Sequence, residues 1–481
     1  MTTIPNNEEY EMNHMSNQKH DNKTDRKIQE IYIKLEQLRK NKRRVTTPEE
    51  LEALEREIRA LTDQLASLIL GQKIQESLDS EESREAEKIL VKSWPTKLKN
   101  EGSIKVNIRT STGFIVEIST RYYRRNCDRR KGKRLKGIYA GLVLLGIHER
   151  CTPSLASQIG ILSATLGSFA FVPQVLLEQG MKLGVNVLQR IVYRYAERAR
   201  RVQQMGKYSF EQGIEGRRVI VSTDGGRIRL RENKRGPKTK KGRTRYNGAW
   251  REPKLLLIYV VDEAGKMEKS FAPIIDGIIK GPDALFQLLH SYLHKLNIRQ
   301  ADQVLFVSDG AKWIWNRVPE LVKFLGLISS QVHELIDFYH AVEHLGSVAN
   351  LRKGWNASTR KKWVKKHRKL LLDGKVEKVI EAVRQICRGR KSKEIRTLCS
   401  YFVNNQYRMA YKKIKDIKLP IGSGGVESAI RRVVNLRLKG PCTFWLKENA
   451  DAVLMLRSYF KAERWNMLKS MANSPLSVME K

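Results

Sequence analysis

Five short apolar runs between residues 217 and 344 restrict the fold more than any other feature of this chain. They are "RRVIVSTDGG", "KLLLIYVVDEAG", "KSFAPIIDG", "QVLFVSDGAKWIW" and the first half of "SSQVHELIDFYHAVEHL". Each has the length of a strand and stops at an aspartate or glycine. Between the third and fourth, "GPDALFQLLHSYLHKL" places Ala284, Leu285, Leu288, Leu289, Tyr292, Leu293 and Leu296 at helical spacing. The last two runs pass directly into helices. The predicted order is β-β-β-α-β-α-β-α, three meander strands followed by strands joined through helices. The fold class is α/β, a mixed sheet with helices.

In such a sheet Asp224 ends the first strand and Asp309 the fourth. Site residues of open α/β sheets gather at strand ends. If the two strands are neighbours, their carboxylates converge. Close carboxylates hold hard divalent cations, which prefer oxygen ligands. Two such ions about 3.5–4 Å apart assist both the attacking and the leaving oxygen of phosphoryl transfer. A third carboxylate usually completes the cage, and Glu427 is the candidate. It follows the flexible turn "GSGG" and opens the basic helix "ESAIRRVVNLRLKG". Singly, each residue has a plainer reading. Asp-Gly after a strand is a common turn, and a glutamate early in a helix interacts well with its dipole. The combination points to a site.

Charge supports that direction. The 481 residues carry 91 Lys+Arg against 51 Asp+Glu, a net charge of +40. Residues 1–90 are slightly acidic, so the excess falls on residues 91–481. A field of that size calls for a polyanion, and nucleic acid fits it through phosphate neutralisation. Nothing reads as a membrane span, a signal peptide or a lipidation motif. The five cysteines include no CxxC pair, which argues against a disulfide framework and fits a reducing cytoplasm.

Along the chain, residues 1–23 read as a polar disordered tail. A helical hairpin or short coiled coil follows, up to residue 90. "TTPEE" starts its second helix with a capping box, and Leu51, Leu54, Ile58, Leu61, Leu65 and Leu68 form a heptad seam. Residues 71–100 read as a polar linker. The 91–135 segment holds a β-hairpin, "SIKVNIRTSTGFIVEISTRYY", and a basic loop containing Cys127. Residues 136–204 read as wholly helical, within a 136–210 region. There "VPQVLLEQGMKLGVNVLQRIVYRYAERARR" has the form of a helix-turn-helix with Gln189, Arg190 and Arg194 outward, suited to a DNA groove. An ordinary helical packing unit is the equal alternative.

Asp309 and Glu427 are 118 residues apart, so the catalytic segments 211–344 and 421–481 flank a basic helical insertion at 345–420. Its Trp355 and Trp363 either anchor its core or stack on exposed bases. His340 and His344 share a helix face, but the order of Glu343 between them is wrong for a zincin. Arg227 and Arg229, in the basic stretch "GRIRLRENKRGPKTKKGRTRYNGAW", are expected on DNA. So are Arg431, Arg432 and Arg437. The alternative for Arg431 is an ion pair with Glu427 one turn before it.

Residues 217–460 resemble the catalytic domain of bacterial insertion-sequence transposases with an RNase H-like fold, nearest to the Mutator-like, Kra-type and Lre-type groups. "STDGGRIRLR", "FVSDGAKWIW", "LIDFYHAVEHL" and "GSGGVESAIRRVVNLRLKGPCTFW" carry the likeness, and "DFYH" matches an Asp/Cys-x-x-His signature. The resemblance implies that Asp224, Asp309 and Glu427 are a catalytic, metal-binding triad, with Asp337 and His340 in support. It implies two Mg²⁺ ions, with Mn²⁺ as a substitute. The implied partners are double-stranded DNA, both the terminal inverted repeats and the target, bound by a homo-oligomer in the bacterial cytoplasm at the nucleoid. Where relatives carry paired cysteines, only Cys127 stands here. A catalytically silent DNA-binding repressor and an RNase H-like nuclease without strand transfer are the alternatives.

Overall fold

The computed structural model of the chain describes residues 7–41, 44–125, 137–240, 242–389 and 392–478, without the side chains of 7–23, 477 and 478. The loop around Cys127 lies outside the described residues. Two compact units emerge: Met1–Val202 with Lys469–Lys481, and Gln203–Leu468. Among the described residues no helix is long and apolar enough to cross a membrane.

The first unit opens with two long helices, α1 (Asn7–Lys40) and α2 (Pro48–Asp79). The tail expected to be disordered through residue 23 is therefore helical from Asn7. Its polar composition denies it a core, but a helix satisfies its own backbone. Thr47 caps α2, its hydroxyl accepting from Glu50 N at 3.2 Å. The Glu50 carboxylate returns the bond to Thr46 N at 2.9 Å, one residue short of a strict capping box. Leu51 and Ile58 of the heptad seam stay exposed, at 49% and 41%. The buried stripe lies further along, where Ile74 and Leu78 pack on a hairpin. That hairpin is β1 (Leu98–Arg109) and β2 (Ile115–Arg125), turning through Gly113 at φ +85°. The stretch read as a linker, residues 71–100, instead holds the end of α2, helix α3 (Glu81–Lys92) and the start of the hairpin. Sparse apolar residues among many charges concealed this amphipathic run. Residues 136–204 are not wholly helical either. Strand β3 (Ile138–Tyr139) joins β2 before α4 (Ala140–Leu144), α5 (Pro153–Thr165), α6 (Val172–Glu178) and α7 (Val185–Gln204).

The second unit is built on five strands: β4 (Arg218–Gly225), β7 (Lys254–Val261), β8 (Ile274–Ile278), β9 (Gln303–Ser308) and β10 (Val332–Ile336). Between the first two rises a ribbon, β5 (Ile228–Asn233) paired with β6 (Tyr246–Arg251). The sheet order is β10-β9-β4-β7-β8. β4, β9 and β10 run parallel, whereas β7 and β8 are antiparallel to their neighbours. This is the mixed sheet of an RNase H-like fold. All eight residues of β7 are buried, as a central strand covered on both faces requires.

Helix α8 (Pro282–Lys295) carries the chain from β8 to β9, and α9 (Lys312–Trp315) with α10 (Val318–Leu325) from β9 to β10. After β10 come α11 (Phe338–Asn350), α12 (Ala357–Leu372), α13 (Val376–Cys387), α14 (Lys393–Asn404) and α15 (Tyr411–Asp416). Then α16 (Gly424–Ile430) returns to the sheet, continues as a π-helical turn over Arg431–Asn435, and leads to α17 (Lys447–Lys461) and α18 (Trp465–Asn473).

Backbone pairing of β4 with β9 runs from Arg218↔Gln303 to Val221↔Phe306. Beyond it Thr223 N donates to the Ser308 hydroxyl at 3.0 Å, a side-chain bond in place of the ladder. Asp224 and Asp309 come next, at equivalent positions of adjoining strands. Replacing Ser308 with alanine leaves the buried Thr223 N–H without its acceptor. Urea unfolding of Ser308→Ala should show a loss of about 1–3 kcal/mol.

Candidate active site

Asp224 stands at the end of β4, its Oδ1 accepting from Gly225 N at 2.6 Å. Burial pushes its pKa up to about 6, and the charges of Asp309 and Glu427 add to the rise, while His340 opposes it. Asp309 follows β9. Its Oδ1 accepts from Ala311 N at 3.0 Å, and its carbonyl accepts from the Trp315 indole at 2.6 Å. Burial raises its pKa too, with Glu252 and Asp337 contributing and His340 again opposing. Two partly buried carboxylates thus end neighbouring strands, both held above the ordinary range chiefly by burial, and the charge of Asp309 adds to the rise at Asp224.

Asp337 continues the row. Ile336 pairs with Ser308, so Asp337 falls beside Asp309. It is fully buried, and both its oxygens are engaged. Oδ1 accepts from His340 N at 2.7 Å, capping α11, and Oδ2 accepts from Ser423 N in the loop before α16. Phe338 N adds a bond to the Ile421 carbonyl at 3.0 Å. One carboxylate thus ties the end of β10 to the helices that carry His340 and Glu427.

The side of the sheet on which Glu427 lies decides whether the set can act together. Directly paired residues of adjacent strands point to the same face. Asp224 pairs with Leu255, so Leu255, Leu257 and Tyr259 of β7 share its face. A Cβ at Gly425 would come within 2.9 Å of Leu257 and 3.6 Å of Tyr259. Helix α16 therefore packs on the Asp224 face, and glycine at 425 permits its close approach. Glu427 is half-exposed, its Oε1 3.6 Å from His340 Nε2. Its ion-pair partner is His340 rather than Arg431. Burial works against a charged His340, yet the carboxylates of Asp337, Glu343, Glu427 and Asp309 raise its pKa.

The ligand atoms of Asp337, His340 and Glu427 lie within 4.8 Å of one another, which makes them a group able to hold a metal ion. Asp224, Asp309 and Glu427, the set expected from the sequence, do not form such a tight group here, although Asp224 feels the charges of both others. Because Asp337 is buried and already accepts two backbone bonds, its structural work comes first. The donors that remain are the carboxylates of Asp224, Asp309 and Glu427 and one imidazole. This oxygen-rich set suits a hard divalent cation, which would supply the counter-charge the buried acids lack. His344 is outside the group. Its ring stacks on Tyr401 at 3.8 Å.

Sequence reasoning missed Tyr401. It comes from α14, and its ring lies so close over Gly310 that a Cβ there would meet it at 2.3 Å. Its buried hydroxyl has no hydrogen-bond partner, and burial, then Asp309 and Asp337, push its pKa upward. No local pattern flags a tyrosine that reaches the site from a distant helix.

The residues expected on DNA are spread over both units. In the first, Arg190 and Arg194 are exposed on α7 but paired with Glu149 at 3.0 Å and Glu197 at 2.7 Å, and Gln189 is half-buried. In the second, Arg227 and Arg229 lie on and beside β5, and Arg431 and Arg432 are exposed beyond Glu427. Arg437 departs from the expectation. It is 6% exposed, with its guanidinium 5.2 Å from the Trp445 ring centre. The π-helical turn before it alters the helical phase, which carries it inward. Trp355 and Trp363 pack on each other at 6.1 Å, and Trp363 on His367 at 4.0 Å.

Strand order and the placement of acidic residues at strand ends define an α/β domain of RNase H-like class. No protein-family model matches the chain, and no curated protein matches it by sequence. Among solved structures it aligns with the Drosophila P element transposase strand transfer complex, at 11% identity and a TM-score of 0.25, over 68% of this chain and 83% of that one. A likeness this distant supports no conclusion about the chain.

The raised pKa of Asp224 has a definite sign. The folded state holds this proton more tightly than the unfolded chain, so ionisation destabilises the fold, beginning above the ordinary pKa and complete above about 6. In EDTA at pH 8, Asp224→Asn should melt about 2–4 °C above wild type. The difference should vanish near pH 4, as scanning calorimetry across pH will show.

Proposed function

We propose that this chain is a transposase that cuts and joins DNA strands with the help of divalent metal ions. The observation that supports the reading is that Asp224 and Asp309 end adjoining strands of an RNase H-ordered sheet, and that α16, which carries Glu427, packs on the Asp224 face, inside a chain of net charge +40. The finer likeness to Mutator-like, Kra-type and Lre-type elements rests on the quoted motifs.

In this reading Asp224, Asp309 and Glu427 would hold the Mg²⁺ ions. When bound, such ions supply Lewis acidity for in-line displacement at phosphorus. Water attacks the phosphodiester at the element's end and the P–O3′ bond breaks, freeing a 3′-hydroxyl. That hydroxyl then attacks a phosphodiester of the target and displaces a second 3′-oxygen. Asp337 is a positioning residue that fixes the two helices. His340 orients Glu427. Arg431 and Arg432, exposed on the same segment, take phosphates. Gln189, Arg190, Arg194, Arg227 and Arg229 complete the proposed contacts with inverted repeats and target, made by a homo-oligomer.

Purified protein incubated with Mg²⁺ and DNA bearing the element's ends should nick and join strands. Asp309→Asn and Glu427→Gln should each lower cleavage by roughly 1,000-fold, equivalent to several kcal/mol of barrier, with end binding within about twofold of wild type. Cleavage by Asp309→Asn at near the wild-type rate would remove the assignment. Nicking without joining would support the nuclease alternative.

A further inference from the structure

The ribbon that rises immediately after Asp224 has a face of unusual composition. Arg229 pairs across it with Trp250, Arg231 with Gly248, and Asn233 with Tyr246. Phe444, from the segment after the π-helical turn, lies over Gly248, where a Cβ would meet its ring at 2.4 Å. Backbone bonds seat that segment on the ribbon: Trp445 N donates to the Arg229 carbonyl at 3.0 Å, and Arg231 N to the Trp445 carbonyl at 2.7 Å. Trp250, Phe444 and Tyr246 thus form a row, with Phe444 and Tyr246 at a 5.6 Å ring separation. Arginines interleave with it. Arg227 and Arg229 sit 5.4 and 4.7 Å from the Trp250 centre, Arg229 also 5.6 Å from Phe444, and Arg231 4.8 Å from Tyr246.

Rings used as core would be covered, yet Trp250 is 42% and Tyr246 40% exposed. The glycine opposite Arg231 is required to let the Phe444 ring approach the ribbon this closely. Arginines alone would serve a duplex, which presents phosphates and hides its base faces. Exposed rings alone would suit an apolar partner, which three guanidinium groups would repel. Aromatic and guanidinium groups together fit a strand whose bases are unstacked, its phosphates held by the arginines and its bases on the rings.

We infer that this ribbon face is a platform for unpaired bases of a nucleic-acid strand led away from the site at Asp224. The inference rests on the proposed nucleic-acid substrate and specifies the form in which the strand is held.

The test uses full-length protein and fluorescence anisotropy with three labelled probes of equal length: oligo(dT), an abasic oligonucleotide, and a blunt duplex. Wild type should prefer oligo(dT) to the abasic strand by about tenfold, the effect of one to two stacked bases. Trp250→Ala should abolish that preference while changing duplex affinity less than twofold. Trp250→Phe should restore most of it, and this variant decides the matter if the alanine variant misfolds. Arg231→Ala should weaken both single strands equally. An oligo(dT) preference that survives Trp250→Ala combined with Tyr246→Ala would overturn the inference, and so would its absence from wild type. If wild type bound none of the three probes, the nucleic-acid reading itself would fail.

Discussion

The carboxylate of Asp337 is the interaction on which the assembly of the second unit's acidic cluster depends. Its two oxygens join three pieces of chain: the end of β10, the first turn of α11, and the loop that leads into α16. Leaving a buried donor without its acceptor costs about 1–3 kcal/mol, and two backbone donors converge here on a residue with no exposed surface. They reconcile a large sequence separation with close assembly. The helices between α11 and α16 form a long excursion, and Asp337 closes it where it begins and ends. His340 is then held toward Glu427 by the same group that anchors the loop before it.

Around that fixed point the acids are arranged against their own repulsion. Burial raises the pKa of both Asp224 and Asp309, and the positive charge that answers them nearby is His340. The numerous arginines stay outside. Arg431 and Arg432 face solvent, while Arg437 is turned in against Trp445. A site that keeps its basic residues off its carboxylates leaves those carboxylates available to a cation and the surface available to a polyanion. Ion pairs directly on the acids would have relieved the repulsion and removed that capacity.

The five sheet strands were legible because each is apolar, short and stopped by Asp or Gly. The placement of Asp224 and Asp309 followed from strand ends alone. Glu427 was legible as a helix-opening acid, but the face it lies on required strand register and the contact of Gly425 with Leu257. What stayed hidden has separate causes. Ile138–Tyr139 is too short for any period to appear. α3 carries too few apolar residues to stand out from a linker. Arg437 was expected on DNA only as one arginine of the basic helix after Glu427, and the π-helical turn before it is not visible in the sequence. Tyr401 reaches Gly310 from a helix far along the chain, and only tertiary structure brings them together.

The closing excursion between β10 and α16 also sets a temporal order. Asp224, Asp309 and Asp337 leave the ribosome well before Glu427, whose helix docks through Ser423 and Gly425 on elements made earlier. A nascent chain stalled between Asp337 and residue 427 has the five sheet strands with Asp224, Asp309 and Asp337 but lacks Glu427. The acidic set is completed 90 residues after Asp337. Incomplete translation products therefore carry the basic surface without the full set of acids.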